Sequence, residues 1–255
     1  MIVEFFGPPA AGKTTLAHAL APALQRNGCD VQLIVSSRPA ERAPTQVESK
    51  YAFARCRTAL AAPLSRGAKF VSAVPTLLPG ARSDDIGANL LDLLPPRNLL
   101  WSVRYRRYLS FLWRSWNMAS ASKGIVIFDQ GFLSALSSLV LLTRSADPTR
   151  VARGLELIPR PNLLVRLDAP RETLEARLRE RLSRQGAAER LFELDLETNL
   201  KQIEVIGALA DMLHKQGRPV THVSCLDQSR LKRAVDKIAL EIAAQLETAR
   251  NERSA

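Results

Sequence analysis

The chain has 255 residues, 46% hydrophobic and 24% charged, a balance that fits a globular protein and excludes collagen-like, mucin-like and disordered chains. Its formal charge of +11 asks for anionic partners, and nucleotide phosphates, nucleic acid and an acidic membrane surface all meet that demand. Cys29, Cys56 and Cys225 stand far apart with no C-x-x-C pair, so neither a zinc site nor a disulfide framework is expected, and a reducing cytoplasm is the expected compartment.

Ile2 to Phe6 is a short apolar run that meets a glycine loop, with no secretory signal expected ahead of it. Lys13 to Arg26 carries Leu16, Ala17, Leu20 and Leu24 at helical spacing, Asn27-Gly28 stops that helix, and Val31 to Val35 reads as a second buried strand. A βαβ unit is therefore expected in the first 35 or so positions. From 40 to 122 a helical insertion is expected, with helices near Val47 to Ala62, Asp84 to Leu94 and Asn98 to Ala119 between breaks at Pro63, Pro75, Pro79 and Pro95-Pro96.

Ile125 to Phe128 is a fully apolar strand ending in Asp129, and Phe132 to Thr143 reads as the next helix. Its apolar stretch is well short of the roughly 18 to 20 residues that span a bilayer. Asn162 to Leu167 repeats the strand pattern, ends in Asp168, and is followed by Pro170 at the head of a charged helix from Arg171 to Gln185. A helix from Ala187 to Lys215, a break at Gly217-Arg218-Pro219, a strand from Val220 to Cys225 and a last helix from Ser229 to Ala249 complete the pattern, with Asn251 to Ala255 expected to fray. Five buried strands alternating with helices predict one α/β domain over 1–255, a three-layer sandwich with a five-stranded parallel sheet covered on both faces.

The segment Gly7-Pro8-Pro9-Ala10-Ala11-Gly12-Lys13-Thr14, followed by Thr15, fits the pattern G-x-x-x-x-G-K-[ST] between a strand and an amphipathic helix. Successive backbone N–H groups ending at a helix N-terminus can surround a phosphate chain with donors and a favourable dipole. Lys13 then reaches the β- and γ-phosphates, and the Thr14 hydroxyl offers one coordination position to Mg²⁺. Asp129, at the end of a buried strand, is expected beside that loop, where open α/β sheets bind ligands, and is the second candidate for holding Mg²⁺. ATP and Mg²⁺ are the cofactors these residues call for.

With these parts in place the chain resembles the thymidylate kinase and deoxynucleoside kinase group of P-loop kinases. The likeness is carried by Gly7 to Thr15, by Phe128-Asp129-Gln130, by Leu164 to Glu172 with its Asp168-Ala169-Pro170 run, and by the arginine-rich stretch Arg177 to Glu193. It implies a lid over about 171–193, in which Arg181 and Arg184 stabilise transferred charge and Arg177 and Arg190 bind the nucleotide. The same helix also reads as a solvated face of i,i+4 pairs.

Two positions depart from the group: Pro9 stands where thymidylate kinases usually have Asp, and Gln130 where the group usually has Arg. Ser36 to Glu41 resembles the group's acidic, proline-containing segment only loosely, which leaves the catalytic base unassigned, with Glu41 a weak candidate and Arg38 beside it on the acceptor side.

One expected helix holds Trp101, Arg104, Tyr105, Arg107, Tyr108, Trp113, Arg114 and Trp116, an aromatic crowd in a chain only 5% aromatic. In the related kinases this stretch helps form the acceptor pocket, so the resemblance implies that Trp101, Arg104, Tyr105 and Tyr108 bind the acceptor together with Gln130. Helix packing and an interfacial helix on an acidic membrane are the other readings.

The function expected is ATP-dependent phosphoryl transfer to a small-molecule acceptor, unidentified, of thymidylate kinase-like type. The alternative is a nucleotide-dependent ATPase or switch acting on a protein or nucleic-acid partner. An Asn-Lys-x-Asp guanine signature and a Leu-Ser-Gly-Gly-Gln-like signature are both absent, and the arginine cluster favours a kinase. A homodimer is compatible with this reading.

Overall fold

The computed structural model describes residues 1–35, 86–143, 146–184 and 195–254. The helix expected near 47–62, most of the lid beyond Arg184, and the candidates Arg38, Glu41 and Arg190 lie outside the described residues. In chain order the elements are β1 (Ile2–Phe6), α1 (Lys13–Arg26), β2 (Val31–Ile34), α2 (Ile86–Leu93), α3 (Leu99–Ala121), β3 (Ile125–Phe128), α4 (Phe132–Leu142), α5 (Pro148–Leu157), β4 (Leu163–Leu167), α6 (Arg171–Ser183), α7 (Leu196–Lys215), β5 (Thr221–Val223) and α8 (Gln228–Ser254).

The five strands form one parallel sheet in the order β2-β3-β1-β4-β5. In register, Val3 of β1 lies between Ile127 of β3 and Leu163 of β4. The chain leaves β1 towards one edge and later crosses back to build the other edge, so the C-terminal ends of β1 and β3 flank a topological switch point. β2 is therefore paired with β3 and not with β1, and as an edge strand it is only partly buried, unlike the buried second strand expected from its composition.

Alternation along β1 divides the core in two. Ile2 and Phe6 face a layer built by α2, α3, α4, α5 and α7, with Leu90, Leu109, Trp116, Phe132, Leu136, Leu155 and Leu209 buried there. Val3 and Phe5 face α1 and α8, where Leu16, Leu20, Leu24, Ile238 and Ile242 are buried with Leu174 of α6. The sandwich is thus three-layered, and α2 and α3, expected within an insertion, supply part of its core.

Local signals explain the helix ends. Asn98 caps α3 by accepting from Trp101 N at 3.0 Å, and the Pro95-Pro96 break before it is pinned to the end of α4, where Arg97 N donates to Leu142 O at 2.9 Å. α5 begins with an Asp147 cap on Thr149 N at 3.0 Å and Pro148 in its first turn, a start signature that the sequence reading passed over. α7 starts at Leu196 behind an Asp195 cap on Thr198 N at 2.7 Å, and the expected helical positions from Ala187 to 194 lie outside the described residues. α8 extends to Ser254, and its Ala, Glu, Gln and Arg-rich sequence favours helix propagation.

Candidate active site

The loop that joins β1 to α1 owes its shape to backbone conformations that few side chains accept. Gly7 has φ 144°, Ala10 64° and Gly12 97°. At Gly7 a Cβ would stand 2.6 Å from the carbonyl oxygen of Leu167 in β4, a backbone atom that cannot swing away. Gly12 caps α1 in the left-handed region, and the helix begins at Lys13.

Lys13 is buried, and its Nζ donates to Gly7 O and Pro8 O, both at 2.8 Å, so the ammonium sits against the loop's own carbonyls. Thr14 projects from the first turn of α1, and its Oγ1 donates to Asp129 Oδ2 at 2.8 Å. Asp129 is wholly buried directly after β3, and its N–H is held by Ile34 O at 3.2 Å. Two hard oxygen donors thus meet beside a loop of main-chain amides, a donor set that fits Mg²⁺. Thr15 is exposed on the outer side of α1.

The arginines of α6 divide. Arg177 reaches into the site, with Nη1 donating to Ala10 O at 3.2 Å and Nη2 to Leu226 O at 3.1 Å, so it ties the phosphate loop to the connection between β5 and α8. In that connection Cys225 packs 3.4 Å from where a Cβ on Gly12 would stand, and burial pushes its thiol up to about 11 against the nearby positive charge of Arg177. Arg181 is half-buried one turn further along α6. Arg184, at the helix C-cap, is exposed and pairs with Glu180. Asp168, from the run that carried the resemblance, pairs with Arg166 Nε and His222 Nδ1, both at 2.7 Å, and stays with the β4 and β5 edge.

On α3, Trp101 and Tyr105 have ring centroids 6.2 Å apart, Tyr105 and Tyr108 6.1 Å, and the Arg104 guanidinium lies 4.9 Å from the Trp101 ring centre. Tyr105 and Tyr108 pack against the core, and burial raises the Tyr105 phenol above its ordinary value. Trp116 is buried between Phe128 and Phe132, with centroid distances of 5.4 and 5.7 Å. Much of the aromatic crowd is therefore packing material. Gln130, half-buried, follows Asp129 directly.

One residue that the sequence reading did not single out is Glu4. It lies wholly buried in the middle of β1, on the side of Ile2 and Phe6, and its Oε1 accepts from Leu133 N of α4 at 2.7 Å. Burial pushes its carboxyl up to about 7, against the lowering effects of the Leu133 amide and of Arg218. Gly131 lies directly over it, since a Cβ there would come within 2.5 Å of Glu4 Cδ. The one available signal was a lone carboxylate in an otherwise apolar strand.

No family model matches the sequence, and no curated protein matches it. Among solved structures, the chain is similar to deoxyadenosine kinase from M. mycoides with the products dCMP and a flexible dCDP bound, at 13% identity and a TM-score of 0.54, covering 96% of this chain and 100% of that one. The same kinase with bound dATP matches at 13% identity and a TM-score of 0.50, over 93% of this chain and 99% of that one. The chain thus shares the fold of that kinase, an α/β sandwich with a five-stranded parallel sheet.

Proposed function

We propose that the chain is an ATP-dependent kinase, acting as one domain, that transfers the terminal phosphoryl group to a hydroxyl of a small-molecule acceptor, with nucleosides the first acceptor class. The observation that carries this reading is the pairing of Thr14 with the buried Asp129, 2.8 Å apart, beside a loop with positive φ at Gly7, Ala10 and Gly12, the kind of backbone that can gather amides round a phosphate. Nucleoside phosphorylation is favoured because the similar M. mycoides enzyme is a deoxyadenosine kinase that holds dCMP.

In this reading the loop amides and Lys13 bind the phosphate chain, Lys13 exchanging the Gly7 and Pro8 carbonyls for phosphate oxygens. Thr14 and Asp129 are the residues that would hold Mg²⁺, which when bound neutralises charge between the phosphates. Arg177 ties the loop to the connection after β5, and Arg181 and Arg184, further along the same helix, are the lid arginines proposed to meet transferred charge. Trp101 and Arg104 border the acceptor side. Gln130 stands on that side where the group usually has arginine.

The test is ADP formation from Mg-ATP by the full chain against a panel of nucleosides, nucleoside monophosphates, sugars and lipid alcohols. Acceptor-dependent ADP release, lost in Lys13→Ala, is the expected result. ATP hydrolysis that no acceptor accelerates would favour the ATPase or switch reading, and no turnover with any acceptor would overturn the kinase.

A further inference from the structure

We propose that Glu4 is a positioning residue for the nucleotide site: its buried carboxyl clamps the Asp129–Gln130–Gly131 turn from below and thereby holds Asp129 in line with Thr14. The inference rests on the reading of Thr14 and Asp129 as the cation-holding pair.

A carboxyl in the middle of a central strand is costly, because desolvation of a polar group costs on the order of several kcal/mol unless hydrogen bonds replace water. Its neighbours in that layer, Ile2, Phe6, Phe128 and Phe132, are apolar, and a methionine or leucine would pack among them without that cost. What distinguishes a carboxyl here is its contacts. Gly131, the N-cap of α4, has no side chain with which to satisfy the first amides of that helix. Glu4 supplies the missing acceptor from another strand, through the 2.7 Å bond to Leu133 N.

The same carboxyl fills the space that a Cβ on Gly131 would need, so the turn can neither sink towards β1 nor rise without breaking the bond. On its other side the turn is held by the bond from Asp129 N to Ile34 O of β2. Asp129 is thus located by two strands, and its Oδ2 meets Thr14 as a result. β1 carries Glu4 and leads at Phe6 directly into Gly7, so a single strand sets the phosphate loop and the carboxylate turn in common register.

The experiment compares ADP affinity with and without Mg²⁺ by titration calorimetry in the wild type, Glu4→Met, Glu4→Gln and Gly131→Ala. Residues that orient a metal ligand typically change metal affinity about 10- to 100-fold when altered. Glu4→Met is therefore expected to cut the Mg²⁺-dependent gain in ADP affinity at least about tenfold, while Mg²⁺-free ADP affinity stays within about twofold. Glu4→Gln keeps an oxygen for Leu133 N and should restore most of the gain. Gly131→Ala, which pushes the turn off the carboxyl, should reproduce the loss and supplies the test if Glu4→Met does not fold. An unchanged gain in Glu4→Met and Gly131→Ala, or an equal loss of Mg²⁺-free affinity, overturns the positioning role. Absence of any Mg²⁺-dependent gain in the wild type overturns the Thr14 and Asp129 reading as well.

Discussion

Glu4 in β1 and Gly7, just past the end of that strand, are three residues apart, and each is confined by a backbone or side-chain contact that a substitution would violate. Gly7→Ala would combine a positive φ with a Cβ 2.6 Å from Leu167 O, so it should destabilise the fold by roughly 1 to 3 kcal/mol and weaken nucleotide binding together, measurable as a lowered Tm and a smaller Mg-ATP shift. Glu4 makes stability depend on pH. Below 4.5, its ordinary value, both folded and unfolded chains hold the proton. Between 4.5 and about 7 only the folded chain does, so stability is lost as pH rises through that window. Urea unfolding at pH 5 and pH 8 should show the wild type losing about 2 to 3 kcal/mol more than Glu4→Gln, and parallel losses in the two proteins would contradict the assignment.

α3 carries two kinds of residue in one helix, and they should respond differently. Trp116 is buried between Phe128 and Phe132, so Trp116→Ala should cost about 3 to 5 kcal/mol by denaturant unfolding. Arg104 and Arg107 are exposed, and their joint change to alanine should alter stability by no more than about 0.5 kcal/mol each. If the outer row of α3 serves the acceptor, that double variant raises the acceptor's KM and leaves the KM for ATP unchanged, whereas equal rises would point to a folding defect. On α6, Arg177 braces the loop, while Arg184 is exposed and pairs with Glu180.

Across the molecule, what could be read from residues alone was what neighbours in sequence determine. β1, the glycine loop and α1 follow one another within 26 positions, and each is recognisable from a short pattern. The pairing of β2 with β3, the contact of Thr14 with Asp129 and the seat of Gly131 on Glu4 join positions about a hundred or more apart, so no local pattern announces them. α5 escaped for another reason: it buries only Val151, Gly154 and Leu155, too few positions for periodicity to register, although its Asp147-Pro148 start was visible. The bonds of Arg177 to Ala10 O and Leu226 O likewise join distant positions, and no local pattern in α6 marks them.

The whole account depends on the loop from Gly7 to Thr14 gripping a polyphosphate, and calorimetric titration of Mg-ATP into the full chain tests it most directly. Wild-type protein should bind, with stabilisation of about 2.7 kcal/mol at a hundredfold excess over Kd, roughly 5 to 10 °C in Tm, and Lys13→Ala should lose that shift. A wild-type protein with no affinity for any purine triphosphate or diphosphate in magnesium, or a Lys13→Ala variant that binds as tightly as its parent, would contradict it.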